Sequence, residues 1–236
     1  MKILLTGATG YIGKRLLPVL LEAGHDVICC VRDQKRFPKT GIYANPLIEV
    51  LEIDFLNPPA ECPQISEIDA AYYLIHSMSD QLAEFEKLEM RSAENFLSLL
   101  KQTKAKQIIY LGGITNDEKL SKHLSSRKQV DEILRDSEIP VTTLKAGIIV
   151  GSGSSSFEII RDLVEKLPVM ITPRWLNTRI QPIAISNVLE YLIGVLGLRE
   201  TYWKSYDIGG PDVLTYRKML LQFAELRGLK RFIWTL

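Results

Sequence analysis

Short apolar runs rich in β-branched residues alternate along the chain with longer stretches whose apolar positions recur three and four residues apart. The short runs predict strands at Lys2 to Thr6, Asp26 to Val31, Ile48 to Ile53, Ala70 to Ile75, Gln107 to Leu111, Val141 to Lys145 and Ser205 to Ile208. The longer stretches predict helices near 11–23, 84–101, 125–137, 155–167, 186–198 and 215–227. Such alternation implies α/β architecture, a doubly wound parallel sheet, because each crossover helix buries its apolar stripe against a sheet face. Local signals add detail. Thr215 is placed to cap the last helix and Gly228 to stop it. Pro18 lacks the N–H that a helix interior uses and is expected to kink or loosen the first helix. The Pro-rich stretch from Asn57 to Pro63 reads as a surface loop.

Composition narrows the class. At 236 residues, with 24% charged and 46% hydrophobic positions, the chain has the make-up of an ordinary globule rather than a disordered or coiled-coil protein. A net charge of +1, with Lys and Arg dispersed among Asp and Glu, gives no electrostatic case for nucleic acid. Cys29, Cys30 and Cys62 form an odd set without metal-ligand spacing, so no metal site is expected and the thiols read as reduced core residues. The apolar stretch Val188 to Leu198 contains Glu190 and is too short to cross a hydrocarbon layer of about 30 Å. With no signal peptide ahead of the first strand, the expected location is cytoplasmic.

Residues 6 to 13 read Thr-Gly-Ala-Thr-Gly-Tyr-Ile-Gly and join the apolar run Ile3-Leu4-Leu5 to the first helical stretch. Gly7 suits a tight turn, Gly10 lets the backbone approach a pyrophosphate, and Gly13 lets helix and strand pack closely. The unpaired amides of Tyr11, Ile12 and Gly13 then face the anion, with Thr9 beside them. An ordinary strand-turn-helix would carry similar glycines, but the flanking elements favour a dinucleotide grip. Cofactor choice rests on the end of the second strand, Val31-Arg32-Asp33. A guanidinium there suits the 2′-phosphate of NADP, whereas a carboxylate suits the ribose hydroxyls of NAD. Arg32 directly follows the strand, so NADP is the expected cofactor, with NAD the alternative if Asp33 takes that place.

Through TGATGYIG, Asp54, YYLIHSM at 72–78, YLGG at 110–113 and LKAGIIVGSG at 144–153, the chain resembles the atypical short-chain dehydrogenase/reductase superfamily along nearly all its length. The resemblance is to its NmrA-like and complex I accessory-subunit-like NAD(P)-binding branch. It implies a Rossmann fold in which Asp54 and Phe55 approach adenine. It places Ile75 and His76 at the level of the nicotinamide ribose, Ala146 beside the cofactor, and Ser77 and Met78 toward the substrate. His76 also fits a hydrogen-bonded core residue. Reductases of this superfamily use Tyr-x-x-x-Lys on a helix, with a Ser or Thr after the fifth strand. The matching segment here places His123 at the Tyr position and Arg127 at the Lys position, with Thr115 the nearest hydroxyl. His123 is thus a candidate weak general acid and Arg127 a candidate ribose contact, while Lys145 reads as a strand-end residue.

The region after the sixth strand should form the substrate side. Gly151 to Ser156 reads as a phosphate-tolerant loop or as a helix entry, and the Pro-bounded loop with Arg174, Trp175 and Arg179 as an anion or planar-ligand site, a lid or a subunit contact. The expected division is a dinucleotide-binding core over 1–150 and a small substrate-side region over 151–236. Phe232, Ile233, Trp234 and Leu236 would lie uncovered at the end, which reads as a chain cut short or a tail covered by another subunit. Two function classes follow: an NADP-dependent oxidoreductase or sugar-nucleotide-modifying enzyme with a non-standard active site, or a non-catalytic NADPH-binding sensor, regulator or assembly factor.

Overall fold

The computed structural model describes residues 1–59, 65, 67–76, 82–114 and 122–236, except for the side chains of 82–85 and 122–124. In chain order the elements are β1 (Lys2–Leu5), α1 (Gly13–Glu22), β2 (Asp26–Val31), β3 (Ile48–Glu52), β4 (Ala70–Tyr73), α2 (Leu82–Leu100), β5 (Gln107–Gly113), α3 (Lys122–Arg135) and β6 (Val141–Ala146). There follow β7 (Ile149–Val150), α4 (Ser155–Lys166), β8 (Val169–Thr172), β9 (Arg179–Ile180), β10 (Ile183–Ala184), α5 (Ile185–Gly194), β11 (Ser205–Ile208), β12 (Leu214–Thr215), α6 (Tyr216–Leu226) and β13 (Phe232–Thr235).

The seven strands read from the sequence all enter one sheet, in the order β11-β6-β5-β4-β1-β2-β3. The ladders joining β3, β2, β1, β4 and β5 are parallel. From β1 the chain moves outward to β2 and β3, then returns across β1 to β4. That reversal opens a crevice beyond the carboxyl ends of β1 and β4, where doubly wound folds bind their ligands. The central strands are apolar throughout because helices cover both faces; Ile3, Leu4 and Leu5 have no exposed surface. Pro18 does not break α1, which continues through it to Glu22. The carbonyl it leaves unbonded belongs to Lys14, an exposed position where water can take the place of the missing amide.

The chain divides into two compact units, the first comprising Met1–Lys145 with Leu189–Asp207 and the second Ala146–Val188 with Ile208–Leu236. In the first unit, buried side chains tie the returning segment to the sheet. Gln107 Nε2 donates to Thr142 Oγ1 (2.9 Å) and to the Val195 carbonyl (2.8 Å), while its Oε1 accepts from the Gly197 amide (2.7 Å). The Tyr72 hydroxyl donates to the Leu192 carbonyl at 2.9 Å. Arg135 makes a second tie, donating to the carbonyls of Trp203 (2.8 Å) and Lys204 (3.0 Å), to Ser205 Oγ (2.8 Å) and to Asp131 (3.1 Å). Arg135→Ala should lower the urea-unfolding free energy by about 2 kcal/mol, because Asp131 and two carbonyls lose a charged donor together. Arg135→Lys should recover only part of that, since an ammonium cannot span the same acceptors.

The second unit has its own core, in which Ile160, Val164, Met170, Leu220 and Ile233 are buried. Ser154 caps α4 by accepting from the Phe157 amide (3.1 Å), and the Gly153 amide donates to Glu158 Oε1 (2.8 Å). The Gly151–Ser156 loop is therefore a helix entry. Thr215 caps α6, and Gly228 follows it at φ +66°, as their sequence positions suggested. The tail is not wholly uncovered. β13 pairs in parallel with β8, burying Ile233 beside Met170, while Phe232, Trp234 and Leu236 stay exposed. Among the described residues, no helix is long and apolar enough to cross a membrane.

Candidate functional site

A cavity of about 470 Å³ opens at the carboxyl ends of β1, β2 and β4, a size suited to a small-molecule ligand. Its walls bring together Gly7, Thr9 and Gly10 from the loop after β1, Arg32 from the end of β2, Asp54 and Phe55 beyond β3, and Ile75 and His76 beyond β4. All eight were singled out by sequence. Leu88 and Ser92 of α2 also line it, together with Cys30; these were missed, because no local pattern shows which face of a distant helix will meet a loop.

The loop after β1 leaves no room for side chains where it presses on its neighbours. Thr6 is buried, donating to the Tyr72 carbonyl (2.9 Å) and accepting from the Leu74 amide (3.0 Å), so β1 and β4 stay joined past their ladder. Gly7 has φ +65°, and a Cβ there would lie 2.6 Å from the Leu74 carbonyl oxygen. At Gly13 a Cβ would lie 2.2 Å from the Gly7 carbonyl oxygen, so α1 starts directly against the loop. The helix-start residue Ile12 offers no capping side chain, and the first turn of α1 has no acidic residue. Such a helix start favours an external anion. Tyr11 is turned into a local contact, with the Arg15 guanidinium 4.0 Å from its ring centroid. Gly-rich backbone, an uncapped helix start and an adjoining cavity therefore fit the diphosphate of a dinucleotide.

At the far wall, Arg32 is exposed and lines the cavity. Asp33 is engaged elsewhere, accepting from the Lys35 amide (2.9 Å) and pairing with Arg36 (3.5 Å). Asp54 accepts from the Leu56 amide (3.1 Å) and from Asn57 Nδ2 (3.2 Å), which fixes its carboxylate in a turn. Phe55 is buried and held by α2, its carbonyl accepting from Asn95 Nδ2 at 2.7 Å and its ring 5.8 Å from that of Phe96. Burial pushes the Cys29 thiol up to about 12 and the Cys30 thiol higher still, so Cys30 stands in the wall as a neutral group. His76 opens onto the cavity, where it keeps exposed surface while losing part of its hydration. That desolvation, with the Arg127 charge second, holds its pKa below the usual imidazole range and keeps it neutral.

The remaining positions are more scattered. Arg127 lines a smaller cleft with Tyr110, whose hydroxyl donates to the Arg127 carbonyl (3.2 Å). His123 lies on α3, its side chain outside the description; Thr115, Ser77 and Met78 lie outside the described residues. Ala146 closes β6 and is buried. Arg174 and Trp175 are exposed in the second unit, where the Trp175 ring meets Tyr216 edge-on at 5.5 Å.

Comparison with known proteins agrees with this geometry. The curated photosystem II assembly factor Ycf39 of Trieres chinensis is 21% identical over 229 residues, spanning 97% of this chain and 70% of that protein. Among solved structures, UDP-glucuronic acid 4-epimerase from Bacillus cereus in complex with NAD superposes with a TM-score of 0.78 at 16% identity, covering 100% of this chain and 86% of the other. A nucleoside-diphosphate-sugar epimerase from Staphylococcus aureus gives 0.78 at 18% identity, covering 100% and 80%. Identities this low establish the fold alone. The model of a family described as NAD(P)H-binding matches residues 7–169, which is more than half of the chain and includes every described wall of the cavity. The chain belongs to that NAD(P)H-binding family.

Proposed function

We propose that the chain binds NADP(H) in this cavity and acts as an oxidoreductase with a non-standard proton donor. The observation that carries the cofactor choice is the separation of Arg32 from Asp33: Arg32 lines the cavity, whereas the Asp33 carboxylate is engaged by the Lys35 amide and Arg36. An arginine there pairs with a 2′-phosphate, and no carboxylate competes for the ribose. The bound nicotinamide would supply the hydride. The loop amides and the start of α1 would hold the diphosphate, and Asp54 with Phe55 would border adenine. Neutral His76 would exchange hydrogen bonds with a ribose hydroxyl. His123, at the position where reductases carry Tyr, is the proposed proton donor.

Fluorescence titration with NADPH and NADH tests the cofactor. Arg32→Ala should weaken NADPH about 10- to 100-fold and NADH little, the loss expected of one charge-assisted pair. Equal losses for both cofactors would refute the assignment. Catalysis is read as cofactor oxidation against carbonyls, quinones and nucleotide sugars, the last because the structural neighbours include proteins named as epimerases of such sugars. Turnover that His123→Ala abolishes without loss of binding supports the enzyme. The similarity to a protein named as an assembly factor favours a second reading, a non-catalytic NADPH-binding factor. Tight NADPH binding with no turnover would decide for it.

A further inference from the structure

A smaller cleft at the ends of β5 and β6 carries a charge pattern to which the cofactor contacts proposed above assign no role. Its walls include the backbone of Gly112 and Gly113, Thr143 and Lys145 from β6, and Arg127 and Asp131 from α3. Thr143 and Lys145 are two apart on a strand and so share one face, while Arg127 and Asp131 are four apart on a helix and lie one turn from each other. The facing elements therefore meet in levels. At the first, the Asp131 carboxylate accepts from Thr143 Oγ1 and from Arg135 Nε, and its charge is answered. At the next level Arg127 and Lys145 line the cleft together. Among the described residues, neither of those two side chains has a hydrogen bond or an ion pair. Lys128 at the rim pairs with Glu132 at 3.8 Å and leaves them unanswered.

Two half-buried cations on one cleft, with the nearby carboxylate already committed, make a site for an external negative charge. The cleft volume of about 20 Å³ is close to that of a single water. It admits the oxygens of one compact charged group and leaves the bulk of any larger molecule outside. We infer that this cleft is an oxyanion subsite, in which Arg127 and Lys145 receive a carboxylate or phosphoryl group of the substrate. Arg127 supplies a planar fork for two oxygens and Lys145 a point charge. The subsite lies at the end of β5, the strand paired with β4, beyond whose carboxyl end His76 stands in the wall of the cofactor cavity. As a statement about substrate it rests on the NADP(H) reading above; as a statement about an anion it stands on the cleft alone.

The test is calorimetric titration at low ionic strength, on free and on NADPH-loaded protein, with acetate, inorganic phosphate and neutral acetamide as probes. Millimolar binding of acetate or phosphate, with none of acetamide, is the expected result, and the tighter of the two tells carboxylate from phosphoryl. Lys145→Met and Arg127→Met should each weaken it about tenfold or more, and Arg127→Lys less, the loss being that of a charged hydrogen bond. Anions that bind no better than acetamide, or bind both Met variants as well as wild type, would overturn the subsite while leaving NADPH binding intact. Wild-type protein that fails to bind NADPH would overturn the cofactor reading instead, and the titrations on free protein would still decide the cleft.

Discussion

Gly13→Ala should abolish NADPH binding and lower stability by about 3–5 kcal/mol, at the upper end of what overpacking a single position costs. The added methyl would stand 2.2 Å from the Gly7 carbonyl oxygen and 2.8 Å from the Ala8 Cα. Both are backbone atoms, and neither can rotate away. Relief requires α1 to lift off the loop, which moves the amides proposed to hold the diphosphate. Gly10→Ala separates the two effects. Its methyl would meet only the Gly7 carbonyl oxygen, at 3.1 Å, on a residue that lines the cavity. It should therefore cost binding heavily and stability little. Gly24→Ala is the control for backbone conformation alone, because Gly24 has φ +76° with nothing within 4 Å. It should cost roughly 1 kcal/mol and leave binding unchanged. Thermal melts read beside NADPH titrations distinguish the three; a Gly13→Ala protein that binds NADPH normally would show that the loop does not hold the cofactor.

The sequence was most legible where a short-range pattern decides the structure. Seven strands and six helices follow from periodicity, and β2 and β11 begin and end where the pattern placed them. The glycine loop, Arg32, Asp54, Phe55, Ile75 and His76 could be found because each stands at a fixed place after a strand. Two-residue strands such as β7, β9, β10 and β12 carry no period and were not foreseen. The return of Leu189–Asp207 to the first unit was equally hidden. It depends on Gln107 and Arg135 reaching partners 68 to 90 positions away in sequence. The same limit applies to α2, whose amphipathic pattern predicted a helix but not that Asn95 and Phe96 would support the Phe55 wall of the cavity.

That support gives the second large effect. Phe96 has no exposed surface, and its ring lies 4.9 Å from Tyr73 and 5.8 Å from Phe55. Truncating a buried aromatic to Ala typically costs about 3–5 kcal/mol, as transfer free energy and the cavity left behind add together. Phe96→Ala should fall in that range by urea unfolding. It should also weaken NADPH, because Phe55 and Asp54 are neighbours in a wall that Phe96 and Asn95 brace from behind. Asn95→Ala removes only the 2.7 Å hydrogen bond to the Phe55 carbonyl, so it should cost about 1 kcal/mol of stability. If bracing matters to the site, both variants lose NADPH affinity while differing several-fold in stability cost. A Phe96→Ala protein that is destabilised yet binds NADPH as wild type does would show that the wall is set by β3 and the Asp54 turn without help from α2.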